Sequence, residues 1–143
     1  MRTLQAAFPD TPITWVVGST EHRLLSGIRG IEFIIFDKNR GWRGVLDVRR
    51  QLAGREFSVL LNMHASMRAN AVSAVIPARR RVGFDRARAR DFQWLFCNEQ
   101  IADAEQQHVC DGMLSFAAHL GATDTRIDWS LPLDPAAQRW VGN

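Results

Sequence analysis

Short apolar runs alternate with amphipathic stretches along the chain, and that alternation predicts its elements. Residues 2–7 read as the tail of a helix, closed by Phe8-Pro9-Asp10. Ile13-Thr14-Trp15-Val16-Val17 reads as a strand, with Gly18 ending it. Ser19 or Thr20 can cap a short helix to about Ser26, because a hydroxyl oxygen accepts from the free N–H groups of a first turn. Residues 32–36 form a second strand, in which Phe33-Ile34-Ile35-Phe36 is apolar on both faces. Residues 42–52 form a helix with a basic face, and residues 57–61 a third strand. Residues 66–75 are a helix stopped before Pro77, and Arg81-Val82-Gly83-Phe84 is a short fourth strand. The clearest helix is 105–120, ended by Gly121 where a left-handed backbone is tolerated.

Strands apolar on both faces are usually buried on both, and their alternation with helices implies a parallel sheet covered on each side. The expected fold is therefore α/β, a Rossmann-like doubly wound parallel sheet. A doubly wound domain normally opens with a strand, and that strand is usually central, beside the ligand crevice. This chain opens inside what reads as the first helix, so the expectation is a domain over 1–133 that is incomplete at its start. Asp134-Pro135 then opens a stretch, 134–143, that reads as the start of a connection to a further domain.

The 143 residues suffice for one domain with one sizeable core. Hydrophobic residues at 46% and charged residues at 23% are ordinary for a globular chain. No segment approaches ~18 uninterrupted apolar residues, so no membrane span is expected. Met1-Arg2-Thr3-Leu4-Gln5 contains no apolar signal core, and the expected location is cytoplasmic. Cys97 and Cys110 lack CxxC spacing and read as reduced thiols. The formal charge is only +3, yet Lys38 is the single lysine among 18 basic residues. Arginine's fork of N–H donors suits carboxylates and phosphates. The arginines cluster at Arg40, Arg43, Arg49 and Arg50, at Arg79, Arg80 and Arg81, and at Arg86, Arg88 and Arg90, which favours an acidic ligand.

In parallel sheets, ligands sit beyond the carboxyl ends of the strands. The segments there are 37–43 after the second strand, 62–68 after the third and 85–91 after the fourth. All three are polar and contain arginine, so they are expected to share one anion-binding rim, helped by free N–H groups at helix starts. Trp42 lies between arginines in the first of them, whereas Trp15, Trp94, Trp129 and Trp140 read as packing residues. His64 is on the second segment and is the better functional histidine. His108, Asp111, Ser115 and His119 share one helix face, with Val109, Met113, Phe116, Ala117 and Leu120 on the apolar face opposite. His108 and His119 are roughly 16 Å apart at 1.5 Å per residue, too far to share a metal. His119 reads as a surface residue and His108 as structural. There is no Gly-rich phosphate loop, GxSxG elbow or HExxH, and no complete catalytic set.

Taken in order, these segments resemble family 9 glycosyltransferases, the heptosyltransferase group. Leu4-Gln5-Ala6-Ala7-Phe8-Pro9-Asp10 and Ile13-Thr14-Trp15-Val16-Val17 resemble the end of that family's first helix and its second strand. Arg40-Gly41-Trp42-Arg43 is similar to its basic Arg/Trp segment, and Asn62-Met63-His64-Ala65-Ser66-Met67-Arg68 to the loop after its middle strand. Arg81-Val82-Gly83-Phe84-Asp85 with Arg90 resembles its R-x-G-hydrophobic-Asp segment and the acceptor-binding arginine after it. Gln106-Gln107-His108-Val109 and Leu120-Gly121 resemble a family helix and its stop.

The resemblance implies the N-terminal, acceptor-binding domain of an inverting GT-B enzyme. Such an enzyme transfers heptose from ADP-heptose to the lipopolysaccharide inner core, a Kdo-lipid A acceptor. It implies no cofactor and no metal, with the donor held by a C-terminal domain that this chain lacks. The family's proposed general base is an aspartate in a Gly-Asp pair after the first strand. No residue here matches it, so no catalytic residue is assigned and the piece alone is expected to be inactive. The implied acceptor contacts are Arg40, Arg43 and Arg90, then Arg68 and His64. Gly44 stands where the first heptosyltransferase subgroup has a lysine, and His64 where a glutamine is common, so the subgroup stays open. The implied partners are the acidic core acceptor and, peripherally, the cytoplasmic face of the inner membrane.

The alternative reading is a non-catalytic module that binds an acidic glycolipid or polyphosphate through the same rim. A nucleic-acid binder is disfavoured, because the net charge is modest and no DNA- or RNA-binding motif is present.

Overall fold

The computed structural model describes residues 1–103 and 108–124. The elements are α1 (Arg2–Ala7), β1 (Ile13–Gly18), α2 (Ser19–Leu25), β2 (Ile31–Phe36), α3 (Trp42–Gln51), β3 (Phe57–Leu61), α4 (Met67–Val75), β4 (Ala78–Gly83), β5 (Glu99–Gln100) and α5 (Val109–His119). Two 3₁₀ turns, Lys38–Arg40 and Gln93–Leu95, lie between them. The predicted connection at 134–143 lies outside the described residues, as do Trp129 and Trp140.

Every ladder among the described residues is parallel. β1 pairs with β2 from Ile13↔Ile31 to Gly18↔Phe36, and β4 lies between β3 and β5. Parallel neighbours need a crossover, and α2, α3 and α4 supply the crossovers between successive strands from β1 to β4. The expected single sheet is, however, two: β1-β2 and β3-β4-β5. Among the described residues no ladder joins β1 to β3, so each has one unpaired edge.

Apolar packing joins what the ladders do not. Ile34 of β2, Val45 and Val48 of α3, Leu52, Val72 of α4 and Ile76 form one buried cluster. Val16, Phe36, Phe57 and Leu60 pack on it, so three strands from both sheets share this core. A second cluster of Val82, Ile101 and Phe116 takes in Val59, Leu61, Met63 and Phe84. Leu60 belongs to the first cluster while Val59 and Leu61 belong to the second. Side chains alternate across a strand, so the β3-β4-β5 sheet is covered by α3 and α4 on one face and by α5 on the other. That is the doubly wound arrangement expected from the sequence.

Phe116 is fully buried and meets the edge of Phe84, ring centroids 5.0 Å apart at 85°. Phe116→Ala is expected to cost about 3–5 kcal/mol in denaturant unfolding, because truncation loses both transfer energy and packing.

Three expectations are corrected. β2 is not buried on both faces: Ile34 is 6% exposed but Ile35 is 44% exposed. The short α2 reaches Phe33 through His22, whose ring stands edge-on at 5.3 Å, and leaves Ile35 open. β4 begins at Ala78, three residues before the predicted start, and β5 was not foreseen, being only two residues long. α5 begins at Val109, which is 72% exposed rather than part of the apolar face; Phe116 and Ala117 are its buried apolar residues. The predicted helix residues 105–107 lie outside the described residues.

Candidate functional site

Three segments leave the carboxyl ends of β2, β3 and β4, and local chemistry fixes each. After β2, the Asp37 carboxylate accepts from Asn39 N–H at 2.9 Å and caps the 3₁₀ turn. Gly41 has φ 51°, a backbone that favours glycine, and α3 starts beside it. The corner is tight: a Cβ on Gly44 would stand 2.6 Å from the Asp37 carbonyl oxygen. A side chain at this position, where the resemblance leads one to expect lysine, would crowd that carbonyl. Gly44→Ala should cost about 1–3 kcal/mol in thermal or denaturant unfolding, since the contact is with backbone and cannot rotate away.

Arg40 is not free at this corner. It pairs with Asp47 of α3, which also takes Arg50 at 3.2 Å. Arg40 is half exposed, so the pair is worth at most about 1 kcal/mol and a stronger anion can displace it. Arg43 and Trp42 are exposed, Trp42 by 76%.

After β3, the Ser66 hydroxyl accepts from Ala69 N–H at 3.2 Å and caps α4. The next free N–H, of Met67, donates to the Asp91 carboxylate at 2.9 Å. His64 and Arg68 are exposed, and His64 contributes its carbonyl to Ser66 N–H at 2.9 Å.

After β4, the Asp85 carboxylate is 4% exposed and accepts from Ala87 N–H, from Arg88 N–H and from the Arg88 guanidinium. Burial pushes this carboxyl up, but the hydrogen bonds and charge of Arg88 outweigh it and hold the group below its ordinary value. Arg88 also donates to the Ala102 carbonyl at 3.0 Å and lies over the Phe84 ring, so it is a structural residue. Arg86 lies over Trp94 at 4.8 Å. Arg90 is exposed. Asp91 and Phe92 follow it with φ of 51° and 58°, two consecutive non-glycine residues in the left-handed region.

The structure thus separates the arginines by role. Arg79, Arg80 and Arg81 read in the sequence as part of an anion-binding cluster, and they are committed elsewhere. Arg79 pairs with Glu56 at 3.0 Å, and Arg80 grips Glu99 with two nitrogens at 2.7 and 2.8 Å. The Arg81 guanidinium donates to the carbonyls of Ser73 and Ile76 and closes the end of α4. By contrast, Arg43, Arg68 and Arg90 make no side-chain ion pair or hydrogen bond among the described residues. Arg68 and Arg90 also stand on segments that touch: besides the Met67–Asp91 bond, the Asn70 side-chain amide donates to the Asp91 carbonyl at 2.8 Å. Among the described residues no hydrogen bond ties the Arg40 and Arg43 segment to these two. The predicted rim is therefore joined by direct bonds over two of its three segments.

The remaining candidates resolve simply. His108 caps α5, its Nδ1 accepting from Cys110 N–H at 3.3 Å. His119 lies 3.2 Å from Glu99 on the surface. Both cysteines are free thiols. Burial pushes the Cys97 thiol up, away from a reactive thiolate. Among the described residues no three His, Cys, Asp or Glu side chains are placed to hold a metal. Sequence reasoning missed the buried amides Asn62, Asn70 and Gln93; the available signal was an asparagine inside the otherwise small and apolar stretch of α4.

Arg80 first, then His119, hold the Glu99 carboxyl down at about 2 from an ordinary 4.5. A folded value below the unfolded one adds stability that is complete above about 4.5 and is lost as pH falls through that window towards 2. The melting temperature should fall over this range, and Glu99→Gln should flatten that part of the profile.

Comparison with known proteins agrees with the fold. The chain is 42% identical over 130 residues to the lipopolysaccharide core heptosyltransferase OpsX of Haemophilus influenzae, covering 91% of this chain and 38% of that protein. It superposes on the E. coli heptosyltransferase WaaC with ADP at a TM-score of 0.75 and 22% identity, covering 99% of this chain and 46% of that one. The same enzyme with ADP-2-deoxy-2-fluoro heptose gives 0.70 at 20% identity, covering 99% and 50%. The superpositions show the fold, and the chain spans half or less of the length of these relatives. Residues 45–140 match the sequence profile of glycosyltransferase family 9 (heptosyltransferase), and the chain belongs to that family.

Proposed function

We propose that this chain forms the acceptor-binding part of an inverting heptosyltransferase that moves heptose from ADP-heptose to the lipopolysaccharide inner core. One observation carries the reading: Arg68 and Arg90, uncommitted within the described fold, stand on two bonded segments at the carboxyl ends of β3 and β4. An acceptor bearing Kdo carboxylates offers planar anions that a guanidinium can grip with two N–H donors. Arg43 adds a third free cation, Arg40 joins by exchanging Asp47 for the ligand, and His64 lies on the same segment as Arg68. The Ser66-capped start of α4 favours the same charge sign, because a helix start carries partial positive charge.

On this reading the protein works at the cytoplasmic face of the inner membrane, where such an acceptor is embedded. No helix among the described residues is long and apolar enough to cross a membrane. Trp42, Met67 and Phe92, exposed by 76%, 51% and 60%, flank the free arginines and suit a glycolipid whose acidic sugars adjoin acyl chains. The chain's role in transfer is to hold and orient the acceptor hydroxyl. No general base is assigned to it, and the donor is bound by residues outside 1–133.

Calorimetric titration tests this reading. The chain should bind deacylated, Kdo-containing core oligosaccharide and give no binding heat with ADP-heptose. Binding of ADP-heptose alone would overturn the assignment.

A further inference from the structure

Three buried amides tie the two acceptor segments together. Asn70 and Gln93 are 0% exposed and Asn62 is 5% exposed. The Asn62 side chain donates to Asn70 Oδ1 at 2.9 Å, and the Asn70 Nδ2 donates to the Asp91 carbonyl at 2.8 Å. The Gln93 Nε2 donates to the Asn62 carbonyl at 2.9 Å, while its Oε1 accepts from Phe84 N–H at 3.1 Å. The chain of bonds runs from the end of β3, through α4, to the end of β4 and the turn that follows Arg90. Every bond uses one amide's specific donor or acceptor, so the set has one arrangement.

What it holds is unusual. Asp91 and Phe92 are both left-handed, and Phe92 points a 60% exposed ring outward. Two such residues in succession persist only where their surroundings fix them, and such strain collects at functional sites. Asn70 and Asp91 form the junction: one Asn70 nitrogen takes the Asp91 carbonyl, and the Asp91 carboxylate takes Met67 N–H at the start of α4. Arg68 follows Met67 and Arg90 precedes Asp91, so this junction fixes how the backbones that carry the two guanidinium groups sit relative to one another.

We propose that Asn70 is a positioning residue: its buried side-chain amide clamps the left-handed Asp91/Phe92 turn to the start of α4. It thereby fixes Arg68 and Arg90 as one receptor for the acidic ligand, which rests on the acceptor reading above. Asn70 touches no ligand itself.

The test uses the full chain, labelled for magnetic resonance, with Asn70→Asp as the near-isosteric variant. A carboxylate oxygen then faces the Asp91 carbonyl where an N–H donor stood. The positive-φ couplings of Asp91 and Phe92 should disappear, and Met67 N–H should exchange with solvent about tenfold faster or more. Affinity for the deacylated Kdo oligosaccharide should fall about tenfold. Arg90→Ala, costly in the unsubstituted chain, should then cost less than about threefold in the Asn70→Asp background, because a displaced Arg90 contributes little. Val72→Ala, a buried apolar truncation on the same helix, should lower stability and leave the cost of Arg90→Ala intact. If Asn70→Asp does not fold, Asn70→Ser, too short to reach the Asp91 carbonyl and without added charge, takes its place and should show the same loss of coupling to Arg90. Unchanged left-handed couplings, or an Arg90→Ala cost that is additive with these variants, would overturn the proposal. Absence of oligosaccharide binding by the unsubstituted chain would remove the acceptor reading, and the turn couplings and exchange rates then decide the clamp by themselves.

Discussion

Replacing Arg68 and Arg90 together by alanine should lower affinity for a Kdo-containing oligosaccharide by roughly two to four powers of ten. Each charge-assisted, two-pronged contact is worth about 1.5–3 kcal/mol, which is roughly one to two powers of ten. These two arginines merit the full figure because they spend nothing on partners within the described fold. Arg40→Ala should cost less, under about tenfold, because a ligand gains Arg40 only by displacing Asp47. Raising salt should weaken the binding, since the groups are exposed and screened over about 10 Å at 0.1 M. Calorimetry on the two single variants and the double variant checks all of this. Equal affinity for the double variant and the unsubstituted chain would contradict it.

The second large effect is on stability. β1 and β3 each leave one ladder edge unpaired among the described residues, although both contribute to the same apolar core. Unpaired N–H and C=O groups along a strand invite pairing with another chain. Produced by itself, the 143-residue chain should therefore melt below about 60 °C or self-associate as its concentration rises. Sedimentation and calorimetric melting at several concentrations read both outcomes. A cooperative, concentration-independent melt of a monomer above about 60 °C would contradict the expectation.

The fold was legible where one face of an element is apolar at a regular period. The helix Trp42–Gln51 follows from that pattern, the strands at Ile13–Gly18 and Phe57–Leu61 from short apolar runs, and Met67–Val75 from its stop before Pro77, to within a residue or so at the ends. It failed where geometry depends on distant partners. β5 is two residues fixed only by its bonds to β4, and no period can show in so short a run. Ile35 has the same local pattern as Ile34, yet only the Ile34 face finds α3 and α4 to cover it. For the site, sequence clustering of arginines was a poor guide by itself. Arg80 and Arg81 sit in a dense run but are consumed by Glu99 and by the end of α4, while Arg68 stands alone and is free. The segments at the strands' carboxyl ends carry both kinds: Arg40, Arg86 and Arg88 are engaged there, whereas Arg43, Arg68 and Arg90 are not. Of the Asn62, Asn70 and Gln93 network only the lone asparagine within α4 left a sign in the sequence, because amides reveal a shared role only once the chain has folded around them.

The most direct test observes the arginine side chains themselves. Each guanidinium Nε–H gives its own resonance, which moves when an anion binds it. On titration with deacylated Kdo oligosaccharide, the account predicts that Arg68 and Arg90 shift together at one affinity, with Arg43 following, while Arg80 and Arg81 stay in place. Saturable shifts at Arg80 and Arg81 with none at Arg68 and Arg90 would contradict it, and would move the acidic ligand away from the carboxyl ends of the strands.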